Sequence, residues 1–364
     1  MAPRRPSPSC ASSTPSPRPT RPSTPPSRRN RTDIVPSELR IGILGAGGIA
    51  ERAMVEPSRD VAGASVVAIG ARDPERARAF AERLHLPKHG DYETILSDPD
   101  IDLVYLALPP ITHAEWAVRA LNAGKHVLCE KPLSVNGTTA ALIGETAQAT
   151  GRRAFVGFHY RLHSFTRQLL DVIASGVLGD IQSVHIDFSI PHFVVKPGNI
   201  RLDGDLGGGA VMDVGCYAVD LLRAAWGEPV VEQATAVLYD GDQRIDLQTD
   251  AVLRLPSGAR ADVRASFLGD DEGAMSLRIA GSAAHLEATS VIVPQWGAKL
   301  RVSAGDDILV EESAVDGENS YARQLEHLVA VLGDGSSSIL DAERGAGTMR
   351  TVDDIYRAAG LEPR

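Results

Sequence analysis

Cysteine is scarce in this chain: Cys10, Cys129 and Cys216 are its only three in 364 residues. Set so far apart, they have neither disulfide-framework nor metal-ligand spacing, which excludes a stapled scaffold and a zinc ribbon and fits a reducing, cytoplasmic compartment. No metal is expected. Long apolar runs are missing too. No stretch approaches the roughly 20 residues that span a bilayer, so no membrane partner is expected. Positive charge is short outside the N-terminal tail. Residues 1–36 hold seven arginines against Asp33, so the chain's formal -10 less the tail's +6 leaves -16 on the remainder. Such an acidic body excludes a nucleic-acid surface. The tail itself has almost nothing aliphatic, being built mainly of Pro, Ser, Thr and Arg, and is expected to be disordered. No apolar segment follows Arg4-Arg5 or Arg28-Arg29, so neither pair reads as an export signal.

From Arg40 onward short apolar strands alternate with amphipathic helices, the pattern of a parallel sheet covered on both faces. Expected strands are Ile41–Leu44, Ala64–Ile69, Leu103–Leu108, His126–Cys129 and Ala154–Gly157. Asp73 is placed to cap a helix opening with Pro74, and Thr112 with Glu115 has capping-box spacing. Beyond residue 158 the strands follow one another with few helices between them: 183–190, 233–238, 251–255, 261–267, 276–280 and 300–303. Helices are expected at 164–174, 211–226, 321–332 and 341–359. The fold class is therefore α/β: an N-terminal doubly wound Rossmann sheet over 37–158, then an α+β domain over 159–364 with a mostly antiparallel open sheet. That open sheet suits assembly into a homo-oligomer.

The first strand runs into Gly45-Ala46-Gly47-Gly48-Ile49-Ala50. In a strand-to-helix turn of this kind Gly45 permits the tight turn, Gly47 lets backbone amides approach a pyrophosphate, and Ala50 lets helix pack on strand. At the end of the second strand, where a carboxylate would chelate the adenosine ribose of NAD, stands Gly70-Ala71-Arg72. Arg72 can pair with a 2′-phosphate, which favours NADP, with NAD the alternative through Asp73.

Glu130-Lys131-Pro132 ends another strand of the same sheet, and the proline restricts the lysine backbone and can select a cis bond. Lys131 is thereby aimed at the cofactor crevice, with Glu130 orienting it or lying against the cofactor. Pro109 and His113 border the same crevice. The second dense motif is Gly207-Gly208-Gly209 before a helix on which Asp213 and Tyr217, four apart, share a face. Tyr217 can exchange a proton with a hydroxyl or carbonyl oxygen while Asp213 holds the substrate; a capping aspartate and a core tyrosine are the plainer alternative. His159-Tyr160-Arg161 lies where the first domain hands over to the second, and Arg161 is expected to reach substrate. Asn199, Arg201 and Asp203 can meet substrate hydroxyls. Cys129, Cys216 and Trp226 read as buried packing residues.

ILGAGGIA, CEKPL, GGGAVMDVGCYAVDLL and NSYARQLEHL, in this order, resemble the glucose/fructose oxidoreductase, inositol dehydrogenase and MocA family (Gfo/Idh/MocA). The resemblance implies an NADP-dependent oxidoreductase, Lys131 as catalytic lysine, Asp213 as substrate ligand and Tyr217 as acid/base. Tyrosine at 217, with ARDPERA and NIRLDGDLGGGAVMDVG, is most similar to the branch of xylose and dihydrodiol dehydrogenases and nucleotide-sugar ketoreductases. A sugar or cyclic polyol is thus the implied substrate, and a nucleotide-linked keto sugar or a non-catalytic nicotinamide sensor the alternatives. A tyrosine titrates near about 10, so Lys131 is expected to favour the phenolate; a hundredfold gain in acidity would take about 2.7 kcal/mol.

Overall fold

A computed structural model describes residues 1–3, 38–270 and 272–364. The expectation for the tail falls almost wholly outside the described residues. The described residues from Glu38 onward form one compact unit containing two sheets.

The first sheet is parallel throughout. Its strands are β1 (Leu39–Leu44), β2 (Ala64–Gly70), β3 (Lys88–Gly90), β4 (Leu103–Leu106), β5 (His126–Cys129) and β6 (Ala154–Val156), in the order β3-β2-β1-β4-β5-β6. Ile41, Ile43, Leu103 to Leu106 and Val127 to Cys129 are fully buried, as strands covered on both faces must be. The order reverses between β1 and β4, and at such a switch the loops after the two strands part and leave a crevice. Gly42 is needed for packing, since a Cβ there would lie 2.7 Å from Ile95 and Ile101 side chains.

Asp73 does cap the helix Pro74–Leu84, accepting from Glu75 N at 3.0 Å. The capping box expected at Thr112 does not form. A short turn, Pro110–Thr112, precedes the helix His113–Asn122, and the Thr112 hydroxyl donates to Pro109 O at 2.8 Å instead. Two prolines in succession set that turn and use up the hydroxyl. The same turn ends β4 at Leu106, two residues before the expected limit.

The second sheet has eight strands: β7 (Ile181–Pro191), β8 (Val230–Tyr239), β9 (Asp242–Arg254), β10 (Arg260–Gly269), β11 (Ala274–Gly281), β12 (His285–Thr289), β13 (Lys299–Ala304) and β14 (Asp307–Ser313). Their order is β14-β13-β12-β11-β7-β10-β9-β8, antiparallel except for the β10–β7 pair. Strands β3, β12 and β14 are additions to the expected set: β3 is three residues long and β14 is largely exposed, so neither carries a strong apolar alternation. Helices Cys216–Trp226 and Ala342–Ala358 pack together, the second also against Gly137–Thr150. The far face of the sheet carries charged cross-strand pairs such as Arg264–Asp250 at 2.7 Å and Arg301–Glu311 at 2.6 Å. Among the described residues no helix is long and apolar enough to cross a membrane.

Candidate active site

The crevice beside β1 is lined by a turn in which the glycines have separate jobs. Gly45 has φ +111°, and a Cβ on it would strike Ala107 O, so it lets the ends of β1 and β4 come together. Gly47 and Gly48 would meet nothing within 4 Å. Packing does not require them to be glycine; they leave open space above a helix N-terminus, the setting in which backbone amides receive a phosphate. Ala50 is fully buried, as close helix-on-strand packing needs. The residues present therefore fit a dinucleotide. Arg72 is exposed at the end of β2, while Asp73 is engaged in its cap. Arg76, within the ARDPERA stretch but given no role there, donates from Nε and Nη2 to Ala46 O at 3.2 and 2.8 Å and braces the fingerprint loop. Its one sequence signal is its place one turn beyond Arg72.

Lys131 follows β5 and is joined to Pro132 by a cis bond. Its Nζ donates to Asp213 Oδ1 at 2.8 Å and to Asp213 O at 2.9 Å, and lies 5.0 Å from the centre of the Tyr217 ring. The site is thus built from both sheets' supporting structure, the paired groups standing 82 positions apart in the sequence. The glycine run makes this possible. Gly207, with φ +80°, packs where a Cβ would lie 2.8 Å from Val135 Cγ1, and Gly208 and Gly209 fit against Arg201 O and Asp246 Oδ1. Gly207 lets the loop close on the segment after Lys131, while Gly208 and Gly209 let it fold against Arg201 and Asp246. Asp213 sits in a widened π turn, Val211–Gly215, that runs directly into the helix carrying Tyr217; such turns often occur at functional sites. Asp246, outside every motif, anchors the start of that turn by accepting from Val211 N at 2.8 Å and Tyr356 Oη at 2.9 Å.

Charge in the site is settled by pairing. Burial opposes ionisation of Asp213, but Lys131 and Arg201, the latter at 2.6 Å, outweigh it and hold the carboxyl well below the usual carboxylate range. Burial likewise opposes the Lys131 ammonium, and Asp213 overcomes it, raising the lysine. Tyr217 goes the other way. Burial first, then Tyr321 and Glu130, pushes the phenol well above its ordinary value. The expected phenolate stabilised by Lys131 is therefore corrected: the ammonium faces the ring and Asp213, the phenol is neutral, and the Tyr217 hydroxyl faces His159 Nε2 at 3.4 Å.

The remaining candidates support this centre. Glu130 accepts from Tyr105 Oη at 2.6 Å and from Lys131 N at 3.2 Å. His113 is fully buried, its Nδ1 at 2.9 Å from Pro132 O and its Nε2 at 2.9 Å from Leu108 O, so it ties the exit of β4 to the Lys131-Pro132 turn. Pro109 begins that exit in extended conformation. Arg161 is buried and donates to Asp220 Oδ2 at 3.1 Å, where Tyr160 Oη also donates at 2.6 Å. Its guanidinium is thus engaged beneath the site, in an ion pair that supports the helix bearing Tyr217. Asn199 and Asp203 cap short turns in the loop before the glycines. Cys129 and Cys216 are free thiols, fully buried, with burial raising both.

A parallel sheet with a phosphate-cradling turn, facing a lysine, an aspartate and a tyrosine, defines a dinucleotide-dependent oxidoreductase. Residues 39–158 match the family model for the oxidoreductase family with NAD-binding Rossmann fold, and residues 166–287 that for the GFO/IDH/MocA C-terminal domain. The chain belongs to the Gfo/Idh/MocA family. It is 35% identical over 324 residues to a D-xylose 1-dehydrogenase (NADP(+)) of Haloferax volcanii, covering 88% of this chain and 97% of that protein. A solved 3-ketoreductase from Actinomadura kijaniata, in complex with NADP and TDP-benzene, aligns with a TM-score of 0.80 at 27% identity over 88% of this chain and 98% of that one. An aldose-aldose oxidoreductase from Caulobacter crescentus, complexed with glycerol, aligns with a TM-score of 0.80 at 27% identity over 89% and 98%.

Proposed function

We propose that this chain exchanges a hydride between NADP and a hydroxyl-bearing or carbonyl carbon of an aldose or cyclic polyol. One observation carries the reading: Lys131, Asp213 and Tyr217 converge at the end of β5, in the same parallel sheet whose β1 runs into a glycine turn with open positions the fold itself does not need. Bound nicotinamide supplies the hydride donor or acceptor. The chain supplies the rest. Lys131, kept an ammonium by Asp213, presents donors to the substrate oxygen. In reduction the neutral Tyr217 phenol gives its proton to the carbonyl oxygen; in oxidation its oxygen takes the hydroxyl proton as the phenol's own hydrogen passes on to a neighbouring acceptor. Asp213 fixes Nζ and, with Arg201, borders the space where sugar hydroxyls sit. Arg72 takes the 2′-phosphate, a reading supported by the absence of a free carboxylate at the end of β2 and by the cofactor named for the Haloferax dehydrogenase.

The similarity to a 3-ketoreductase favours a second reading, reduction of a nucleotide-linked keto sugar. It needs extra cationic surface for a diphosphate, and Arg201 is already paired with Asp213. The test is a screen of the full chain with NADP and NAD against D-xylose, other aldoses, cyclic polyols and a TDP-linked keto sugar, followed by nicotinamide absorbance. Turnover of aldoses or polyols with NADP supports the first reading, and turnover of the TDP sugar alone replaces it with the second. A domain boundary at 158/159, assembly as a homo-oligomer and a cytoplasmic location complete the proposal; light scattering of the purified chain checks the assembly.

A further inference from the structure

A buried imidazole stands behind Tyr217. His159 is 2% exposed and opens the short turn His159–Leu162 that follows β6. Its Nε2 faces the Tyr217 hydroxyl at 3.4 Å, its Nδ1 faces Ser320 Oγ at 2.8 Å, and its ring stacks on Tyr321 with centres 4.0 Å apart. Ser320, fully buried at the start of the helix Ser320–Asp334, reaches Gln295 Oε1 at 3.1 Å.

Counting hydrogens gives this chain of contacts a direction. The amide oxygen of Gln295 only accepts, and the Ser320 hydroxyl has a single hydrogen to give. Ser320 therefore donates to Gln295, and its oxygen receives the hydrogen on His159 Nδ1. A neutral imidazole with its hydrogen on Nδ1 carries a bare lone pair on Nε2. That lone pair accepts the Tyr217 O–H.

We infer that His159 positions Tyr217 for proton exchange, with Ser320 and Gln295 locking the imidazole in the tautomer that accepts the phenol hydrogen. The inference rests on the oxidoreductase reading above and adds a residue to it. A phenol hydroxyl rotates about its C–O bond, so an unheld one spends part of its time with its lone pairs turned away from a substrate. The bond to Nε2 fixes that rotation and leaves the oxygen's lone pairs to accept a substrate hydroxyl; as that hydroxyl gives its proton to the oxygen, the phenol's own hydrogen passes transiently to Nε2, and in reduction both move back. At 3.4 Å the bond is long, as such contacts often are before the reacting complex draws them together. Burial, with Lys131 and Arg52 nearby, holds His159 down to about 3, so the ring stays neutral at ordinary pH.

Two measurements test the inference. The first needs no substrate: nitrogen NMR of the full chain labelled at histidine, with His159→Gln identifying the signal. Nδ1–H is expected in the wild type and a shift toward Nε2–H in Ser320→Ala; Nε2–H in the wild type, or no response to Ser320→Ala, overturns the inference. The second uses NADP and D-xylose as probes. His159→Leu is expected to lower kcat about 10- to 100-fold with KM and NADP affinity within about twofold. His159→Gln, which keeps an acceptor near the Nε2 position, restores most of the loss. In a Tyr217→Phe background His159→Leu is expected to add less than about twofold. Wild-type kcat in His159→Leu, or an equal loss in both backgrounds, overturns the positioning role. Undiminished turnover by Tyr217→Phe, or none by the wild type, counts against the oxidoreductase reading instead, and the tautomer still decides for or against His159.

Discussion

The ammonium of Lys131 lies over the Tyr217 ring and not against its hydroxyl, because Asp213 holds Nζ at 2.8 Å from its carboxylate. Burial then dominates at Tyr217 and keeps the phenol neutral. On the proposed reading it moves a proton in the reacting complex, so Tyr217→Phe should lower turnover about 10²- to 10⁴-fold while NADP binding, read by fluorescence titration, stays close to wild type. At the other end of the crevice, Arg72 is exposed and Asp73 is spent on its helix cap. Arg72→Ala should therefore raise KM for NADP much more than KM for NAD; steady-state kinetics with both cofactors checks this, and equal rises exclude a 2′-phosphate role. Both residues could be picked out in the sequence, since each lies at or near the end of a recognisable element. The orientation of Lys131 could not, because Asp213 is remote in the chain and either residue could have faced elsewhere.

The fingerprint turn separates stability from binding. Gly45 combines φ +111° with a collision awaiting any Cβ, whereas Gly47 has open space around it and an extended backbone that alanine adopts freely. Gly45→Ala should cost about 1–3 kcal/mol or more of stability. Gly47→Ala should leave the urea midpoint almost unchanged yet weaken NADP binding about tenfold or more, since a methyl enters the space a pyrophosphate needs. Parallel denaturation and binding titrations distinguish the two. Elements with a strong apolar period and a cap, such as the helix Ser164–Ala174, were legible in the sequence to the residue. The short β3, the exposed β14 and the loss of the Thr112 side-chain cap were not, because pairing partners and the Pro109-Pro110 turn decided them; the helix His113–Asn122 itself begins and ends where expected.

Across the molecule, acid sensitivity follows from two histidines held in neutral form, His159 buried and His126 half-buried. Burial, with Arg152 and Arg153 nearby, holds His126 at about 4, and His159 is held at about 3, both below the ordinary 6.5. Moreover, His126 Nδ1 accepts from Arg153 N at 3.0 Å, which only the unprotonated nitrogen can do. Depressed folded values mean that their stabilising contribution is whole above about pH 6.5 and is lost as pH falls toward 4 and 3, each tenfold weakening of proton affinity corresponding to about 1.4 kcal/mol. Urea midpoints should drop from neutral pH toward pH about 4.5, and His126→Gln should flatten part of that slope. An unchanged slope would show that carboxylates alone govern it. By itself the sequence determined the two sheet types, the glycine turn, the Lys131-Pro132 strand end and the helix of Asp213 and Tyr217, because strand period, glycine spacing and proline geometry act over a few neighbouring residues. Only the tertiary structure decided that Arg161 pairs with Asp220, that Asp246 anchors the reacting helix and that His159 stands behind Tyr217, because burial and charge pairing depend on which distant segments the fold brings together.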